Sequence, residues 1–366
     1  MIMASTPHQF YLRQALNQAS LGRGQCAPNP SVGAIAVQDS QIIAQAYHHG
    51  AGTAHAEQLI LIQLMQQAEQ KFDQVTLYVT LEPCNHWGRT PPCVEAIIQS
   101  GIKKVVFAFK DPNPLVANHH SMDVLKAHGV DVIHESVPEI DVFYQSYFYW
   151  TKHQRPWVTV KMAQSLDGKI AAADGKTTML SNQQCMTFTH VNRQITDAIL
   201  TTANTIIQDN PQLNARTKNG ILPKVVVILD RHCRVNVNAR IFQTAKHCYV
   251  LHDSKCTPQI ALPHVTHQAI AVDDEGLDLN AVMDWMGKAG FHDVWVEAGA
   301  TLFQQLHQLG LVQRTYLYIT PHVLGAKALS AYSKDAPWPA MNLHWQVMDD
   351  NVVGCVDWHA HHERVD

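Results

Sequence analysis

Apolar positions along the chain follow two spacings, one typical of helices and the other of buried strands. Residues 10–21 carry apolar side chains at helical spacing, and the proline-containing segment 27–30 ends the predicted helix. The apolar run 32–37 predicts a strand, the segment 55–67 a second helix and the run 75–81 a second strand. Helices that alternate with strands predict an α/β fold.

The same alternation continues toward residue 150. A helix over residues 93–100 and strands over 105–109 and 130–134 complete a first set of elements. Because helices alternate with strands throughout this set, we predict a three-layer α/β sandwich.

A polar segment that contains a proline, residues 152–156, divides the chain. We predict a first domain over residues 1–150 and a second over 151–366. Beyond the border, apolar runs again alternate with helical stretches, which predicts a second α/β domain. The strands predicted there are 158–162, 198–201, 225–229, 249–251, 294–297 and 315–319.

Composition narrows the class of protein. A chain of 366 residues can form two domains with separate cores, and 46% hydrophobic residues are typical of a globular protein. A formal net charge of −4 without basic runs argues against a nucleic-acid partner. The first residues show no signal-peptide pattern, and no apolar run is long enough to cross a membrane. We therefore expect a cytoplasmic protein without a membrane partner.

One segment carries residues suited to a metal site. His55, Glu57, Cys84 and Cys93 follow the order His-x-Glu, Pro-Cys and a later Cys that is typical of zinc deaminases. One imidazole and two thiolates leave a tetrahedral zinc ion one position for water, as in catalytic sites. Glu57 lies two residues from the first ligand, so it can move protons without binding the metal. We expect the ligands at helix N-termini, where the helix dipole favours thiolates.

A chance arrangement and a purely structural zinc site both explain these residues less well than a catalytic zinc site does. The chain has 23 histidines and 8 cysteines, and an isolated one is more often a packed or surface residue than a ligand. Four residue types in the required order make a chance arrangement improbable. A structural zinc would need a fourth protein ligand and would leave Glu57 without a role. Eight residues separate Cys84 from Cys93, where the common deaminase pattern has two, which indicates a particular branch.

The assembled motifs resemble those of the bifunctional riboflavin-biosynthesis deaminase/reductase family over nearly the whole chain. In the first half the similar segments are residues 28–33, 48–57, 78–86, 88–93 and 111–114. The resemblance implies a cytidine-deaminase-like domain that hydrolyses the 2-amino group from 2,5-diamino-6-(5-phosphoribosylamino)pyrimidin-4-one. The roles that it implies are zinc ligands for His55, Cys84 and Cys93, proton transfer for Glu57, and a pyrimidine pocket for Asn29 and His48.

In the second half, residues 161–168, residues 209–213 with Arg216, and residues 297–299 resemble the reductase motifs of the same family. The resemblance implies a dihydrofolate-reductase-like α/β domain in which NADPH reduces the ribosyl group of 5-amino-6-(5-phosphoribosylamino)uracil to ribityl. The implied NADPH contacts are Ala163, Met179, Thr205, Asp209, Gly299, Ala300 and Thr301. The implied substrate contacts are Thr177, Arg193, Leu213, Arg216 and Glu297, with the two arginines suited to the phosphate.

Several positions of the second half depart from the family pattern. Met179 stands where the family has a tryptophan, and methionine offers no flat face for stacking. Asn210 replaces an aspartate and Ala300 a proline, and Thr202 and Asn204 replace glycines. These changes leave open a deaminase whose second domain is a non-catalytic support.

Two further classes remain open. A nucleic-acid base deaminase would need a basic groove and aromatic platforms, which the mild acidity of the chain disfavours. A non-enzymatic zinc protein would leave Glu57 without a function. The resemblance, together with strand edges expected to be exposed in the second domain, predicts a homodimer that binds small pyrimidine ribose phosphates.

Overall fold

The computed structural model describes residues 6–67, 71–87, 91–114, 120–173, 178–332 and 343–358. The chain divides into two compact units, Met1–Gln154 and Arg155–Asp366. The division lies a few residues beyond the border that we placed at residue 150, because the last helix of the first unit continues to His153. Among the helices in the described ranges, none has the length and apolar character needed to cross a lipid bilayer.

The first unit contains one five-stranded sheet with helices on both faces. Its elements are α1 (Pro7–Gly22), β1 (Gly33–Gln38), β2 (Gln41–Tyr47), α2 (Ala56–Met65), a short 3₁₀ helix (Phe72–Gln74), β3 (Thr76–Leu81), α3 (Cys93–Ser100), β4 (Lys104–Phe109), α4 (Ser121–Ala127), β5 (Asp131–His134) and α5 (Pro138–His153). The strands lie in the order β2-β1-β3-β4-β5. β1 is antiparallel to β2 and to β3, whereas β3, β4 and β5 run parallel.

The layers follow from the alternation of side chains along each strand. Successive residues of a strand point to opposite faces of the sheet. Ala34 and Ala36 of β1 pack toward α2, α3 and α4, whereas Ile35 and Val37 pack toward α1 and α5. Both faces are therefore buried, and the predicted three-layer α/β sandwich is confirmed.

The second unit is built around a nine-stranded sheet. Its elements are β6 (Trp157–Ser165), β7 (Lys169–Ala171), α6 (Gln183–Ile195), β8 (Ala198–Thr202), α7 (Ala203–Asp209), β9 (Ala215–Thr217), β10 (Gly220–Leu222), β11 (Val225–Leu229), α8 (Ile241–Thr244), β12 (His247–Asp253), β13 (Val265–Ile270), α9 (Leu279–Lys288), β14 (Asp293–Glu297), α10 (Ala300–Gln308), β15 (Arg314–Thr320), β16 (Leu329–Ser330), β17 (His344–Met348) and β18 (Asn351–Asp357). The large sheet has the order β13-β12-β11-β8-β14-β6-β15-β18-β17.

Neighbouring strands from β13 to β15 are parallel, and only β18 and β17 join the described sheet antiparallel. Helices α9 and α10 cover one face, and α7 and α8 cover the other. The carboxyl ends of the parallel strands all meet at one edge, which is where α/β sheets bind ligands. The second predicted α/β domain is thus confirmed, and its geometry indicates where to look for a site.

Gly33 provides a test of the first unit. A Cβ atom added there would collide with the backbone of α1 at Ala15 and Ala19. We expect Gly33→Ala to lower the free energy of unfolding by about 3 kcal/mol, because backbone cannot move aside as a flexible side chain does. Urea unfolding measures the change. Gly299→Ala is the control, since its added Cβ would meet no atom within 4 Å, and an equal loss in both variants would contradict the prediction.

Candidate active sites

Three side chains with metal-binding atoms meet in the first unit. His55 is the N-cap of α2, Cys93 is the first residue of α3, and Cys84 lies in the loop after β3. Their ligand atoms all lie within 4.8 Å of one another. The Nδ1 atom of His55 is 3.5 Å from the Cys84 sulfur and 3.3 Å from the Cys93 sulfur. One imidazole and two thiols at this spacing fit a zinc ion with an open position.

The loop that carries Cys84 is attached to the start of α3. The Cys93 amide donates to the Cys84 sulfur at 3.4 Å, and the Val94 amide donates to the Cys84 carbonyl at 3.1 Å. The hydrogen bond from the Cys93 thiol, helped by His55, lowers the pKa of Cys84 to about 4. Cys84 is therefore held as a thiolate, the form that binds metal. As expected, His55 and Cys93 lie at helix N-termini, and Cys84 accepts from one of these amides.

Glu57 lies beside the ligand cluster. It is the second residue of α2 and is only 3% exposed. Burial raises the pKa of its carboxyl group, and its side chain is hydrogen-bonded to Cys93. Burial therefore favours the protonated form of Glu57 more than water does, which suits a group that accepts and releases protons.

Asn29 and His48 lie next to the ligands. The two rings of His48 and His55 are 5.2 Å apart and close to perpendicular. The side-chain nitrogen of Asn29 is 3.1 Å from Nε2 of His48, whose Nδ1 is 3.2 Å from the Ala54 carbonyl. These distances fit an imidazole that donates to Ala54 and accepts from Asn29. Burial lowers the pKa of His48, so the ring stays neutral and keeps this pattern.

The second unit contains a cavity of about 1220 Å³ at the carboxyl ends of β6, β8, β11 and β14. The residues that we predicted for NADPH line it, namely Ala163, Met179, Thr205, Asp209, Gly299, Ala300 and Thr301. Arg193, Arg216 and Glu297, which we predicted for the substrate, line it as well. Leu213 is 3% exposed and packs in the hydrophobic core instead. Thr177 falls outside the described residues.

A buried ion pair lies in the wall of this cavity. Arg193 donates to both carboxylate oxygens of Glu297, at 2.6 and 2.9 Å, and Trp295 donates to the same carboxylate at 2.8 Å. Burial alone would raise the pKa of Glu297, but Arg193 outweighs it and lowers the pKa to about 2. Glu297 is therefore ionised. The guanidinium fork of Arg193 is occupied by this carboxylate, so it is less suited to the substrate phosphate than we expected.

Further residues, for which the sequence predicted no role, also line the cavity. Lys161 lies 5.1 Å from the Tyr318 ring centre, and burial lowers its pKa. Burial, with Arg193 and Arg216 nearby, lowers the pKa of His190 to about 4. Arg231 and Arg234 follow the carboxyl end of β11 and also line the cavity. Their position after an apolar strand could have indicated that Arg231 and Arg234 lie near a ligand site. The sequence does not reveal, however, which strands are neighbours in the sheet.

The start of α10 faces the same cavity. Gly299 is the N-cap, and among the described residues no side chain caps this end of the helix. Gly299, Ala300 and Thr301 line the cavity, so the N-terminus of α10 borders it. A helix N-terminus with uncapped amides is suited to a phosphate group.

Comparison with known proteins bears on both sites. Residues 5–109 match the cytidine and deoxycytidylate deaminase zinc-binding region, and residues 156–353 match the RibD C-terminal domain. The riboflavin biosynthesis protein RibD of Escherichia coli (strain K12) is 32% identical over 334 residues, 87% of this chain and 89% of that protein.

Two solved structures are similar along nearly the whole chain. Acinetobacter baumannii RibD is 30% identical with a TM-score of 0.81, covering 96% of this chain and 98% of its own. A Thermotoga maritima structure is 29% identical with a TM-score of 0.82 over the same shares. It is described as a diaminohydroxyphosphoribosylaminopyrimidine deaminase/5-amino-6-(5-phosphoribosylamino)uracil reductase.

The ligand cluster predicts which substitutions remove zinc. We expect purified wild-type protein to carry about one zinc per chain. Cys84→Ser, Cys93→Ser and His55→Ala should each reduce this content by about ten-fold or more, because two ligands hold zinc far more weakly than three. Elemental analysis of the purified proteins measures the zinc. Cys26→Ser is the matched control, and a Cys84→Ser protein that keeps full zinc would contradict the assignment.

Proposed function

The chain belongs to the RibD family, whose members join a zinc-dependent deaminase to an NADPH-dependent reductase, and we propose which of its residues carry each reaction. The protein is a bifunctional deaminase and reductase of riboflavin biosynthesis, as its motifs predict. Its substrates are small pyrimidine phosphates. We assign to it the two substrates expected from the motifs, which are also those in the description of the Thermotoga maritima relative.

In the first site, His55, Cys84 and Cys93 hold zinc, and Asn29 and His48 bind the pyrimidine ring. A zinc ion with three protein ligands supplies a water molecule whose pKa is lowered toward neutrality. The Glu57 carboxylate would take up a proton during the hydrolysis and release it to the departing amine. The observation that supports this most directly is the buried Glu57 carboxyl group beside the three ligand atoms.

In the second site, NADPH supplies a hydride for C1′ of the opened ribosyl group. Gly299, Ala300 and Thr301 bind the cofactor phosphates with the amides at the start of α10. The ionised Glu297 accepts hydrogen bonds from sugar hydroxyls, and Lys161 lies close enough to Glu297 for its charge to be felt. We assign the substrate phosphate to Arg216, because the fork of Arg193 is engaged by Glu297. This refines the role predicted for the two arginines.

Met179 is the one specific observation that favours the alternative, a deaminase whose second domain is not catalytic. It lines the cavity with 72% of its surface exposed, where the family has an aromatic ring that can stack on a cofactor. The charged groups needed around the sugar are nevertheless in place, namely Lys161, Arg193 and Glu297. We therefore propose a working reductase in which stacking contributes less to cofactor affinity.

We also propose that the protein is a homodimer of the cytoplasm. β17 is the outer strand of the large sheet, and its Trp345 and Val347 are 54% and 73% exposed. An apolar outer strand is suited to pairing with its copy about a twofold axis. None of the eight cysteines forms a disulfide, which supports a reducing compartment.

Two matched substitutions test the two activities separately. Glu57→Gln should reduce ammonia release from the diaminopyrimidine substrate by about 100-fold or more, because an amide cannot carry the proton. The same variant should oxidise NADPH normally with the deaminated substrate. Glu297→Gln should do the reverse, with a loss of NADPH oxidation on the order of 100-fold.

Unfolding curves and zinc analysis accompany both assays. Glu297→Asp, which keeps the charge, is the second variant in case Glu297→Gln unfolds for lack of a partner for Arg193. Wild-type protein that releases ammonia yet oxidises no NADPH would establish the deaminase-only alternative. Ammonia release that survives Glu57→Gln would overturn the role of Glu57.

The oligomeric state has its own test. We expect wild-type protein to elute as a dimer in size-exclusion chromatography with light scattering, and Val347→Lys to elute as a monomer, because a charge on an outer strand opposes edge pairing. Ile221→Lys is the control, since Ile221 is 68% exposed on the separate β9–β10 hairpin. A Val347→Lys protein that stays dimeric would exclude β17 as the interface.

A further inference from the structure

Gln58 connects the helix that carries one metal ligand to the loop that leads to another. It is the third residue of α2, and its side chain is hydrogen-bonded to the His55 amide at 3.3 Å and to the Pro91 carbonyl at 3.1 Å. We propose that Gln58 is a positioning residue of the metal centre, which fixes His55 relative to Cys93 and thereby slows the loss of zinc. The inference rests on the proposed zinc site and adds a residue that holds its ligands in place.

The two hydrogen bonds of Gln58 require an amide side chain. Its oxygen accepts from the His55 amide, and its nitrogen donates to the Pro91 carbonyl. A carboxylate could only accept and an ammonium group could only donate, whereas glutamine does both. The first bond is one half of a capping box, in which the third residue of a helix accepts from the N-cap amide. The second bond goes beyond capping, because Pro91 belongs to the loop before α3.

The loop between the two metal-binding cysteines is long enough to need such an attachment. Eight residues separate Cys84 from Cys93, where the common deaminase pattern has two. A longer loop restrains its ends less. The Cys93 amide, which donates to the Cys84 sulfur at 3.4 Å, joins the two cysteines to each other but leaves their position relative to α2 unspecified.

Two prolines decide how the end of this loop can be held. Pro91 and Pro92 have no backbone N–H group, so their backbone can form hydrogen bonds only as an acceptor. The Ala96 amide of α3 donates to the Pro92 carbonyl at 3.4 Å. Gln58 supplies a donor for the Pro91 carbonyl from the other helix. The end of the loop is thereby attached to both helices that carry ligands.

The bridge acts at the distance on which zinc binding depends. The Nδ1 atom of His55 lies 3.3 Å from the Cys93 sulfur, although the two residues belong to different helices. Gln58 fixes the backbone of His55 directly and that of Cys93 through Pro91, two residues earlier in the chain. Residues that orient metal ligands in this way typically contribute about 10- to 100-fold to metal affinity.

Zinc release from the full-length, zinc-loaded protein to an excess of a chromogenic chelator tests the proposal without turnover. Gln58→Met removes both hydrogen bonds at nearly unchanged side-chain length, and it should release zinc about ten-fold faster than wild type. Gln58→Glu keeps the acceptor for the His55 amide but cannot donate to Pro91. It should therefore also release zinc faster, by about three-fold or more.

Gln63→Met is the matched control, because Gln63 makes the same pair of bonds from the same helix to a strand. Its oxygen accepts from the Gln45 amide at 3.4 Å, and its nitrogen donates to the Gln45 carbonyl at 3.1 Å. Gln63→Met should release zinc at the wild-type rate. Urea unfolding of both variants separates a lost ligand arrangement from a general loss of stability, and Gln58→Glu, which keeps the helix cap, serves if Gln58→Met does not fold.

Three results would contradict these assignments, each in a different way. Equal zinc release from Gln58→Met and wild type would overturn the inference and leave the metal site intact. Release at the wild-type rate from Gln58→Glu would show that the capping bond alone suffices and would overturn the bridge to Pro91. Wild-type protein that carries no zinc would instead overturn the proposed metal centre itself.

Discussion

Backbone amides at the N-termini of helices are the feature on which both sites depend. At the metal centre the Cys93 amide, at the start of α3, donates to the Cys84 sulfur and so joins a loop ligand to a helix ligand. In the reductase cavity the start of α10 presents amides that no described side chain caps. These amides carry partial positive charge and cannot be satisfied within their own helix. A thiolate in one site and a cofactor phosphate in the other are the natural partners.

The two main sheets position the N-termini of these helices. Most of their central strands could be predicted, because both faces of each sheet are buried and the strands are therefore apolar runs. β11 and α3 begin and end at the predicted residues, and the other predicted elements differ by no more than three residues at either end. β2 was not predicted because glutamines interrupt its apolar positions, and β17 was not predicted because four of its five residues are exposed. α5 escaped because its aromatic stretch obscured the helical spacing. The cluster of His55, Cys84 and Cys93 was predictable from the order of these residues, since a zinc site requires those residue types.

The residues around the second cavity show where sequence reasoning stops. The family motifs named ten of the residues that line it, but they did not reveal that Arg193 and Glu297 bind each other. A buried carboxylate needs a partner. The guanidinium group of Arg193 supplies one, with hydrogen bonds of 2.6 and 2.9 Å to the two carboxylate oxygens of Glu297. Arg193 is thereby fixed in the wall, and in our proposal it orients Glu297 rather than binding the substrate phosphate. This pairing depends on how close Arg193 of α6 lies to Glu297 at the end of β14, and a single sequence does not contain that distance.

Met179 bears on how tightly the proposed cofactor site binds its ligand and not on which cofactor it selects. It lines the cavity with most of its surface exposed, and methionine offers no flat face for stacking. In our proposal the missing stacking contact would be lost for NADPH and NADH alike. Because specificity is a difference between binding free energies, an equal loss for both cofactors would lower affinity without changing the preference between them.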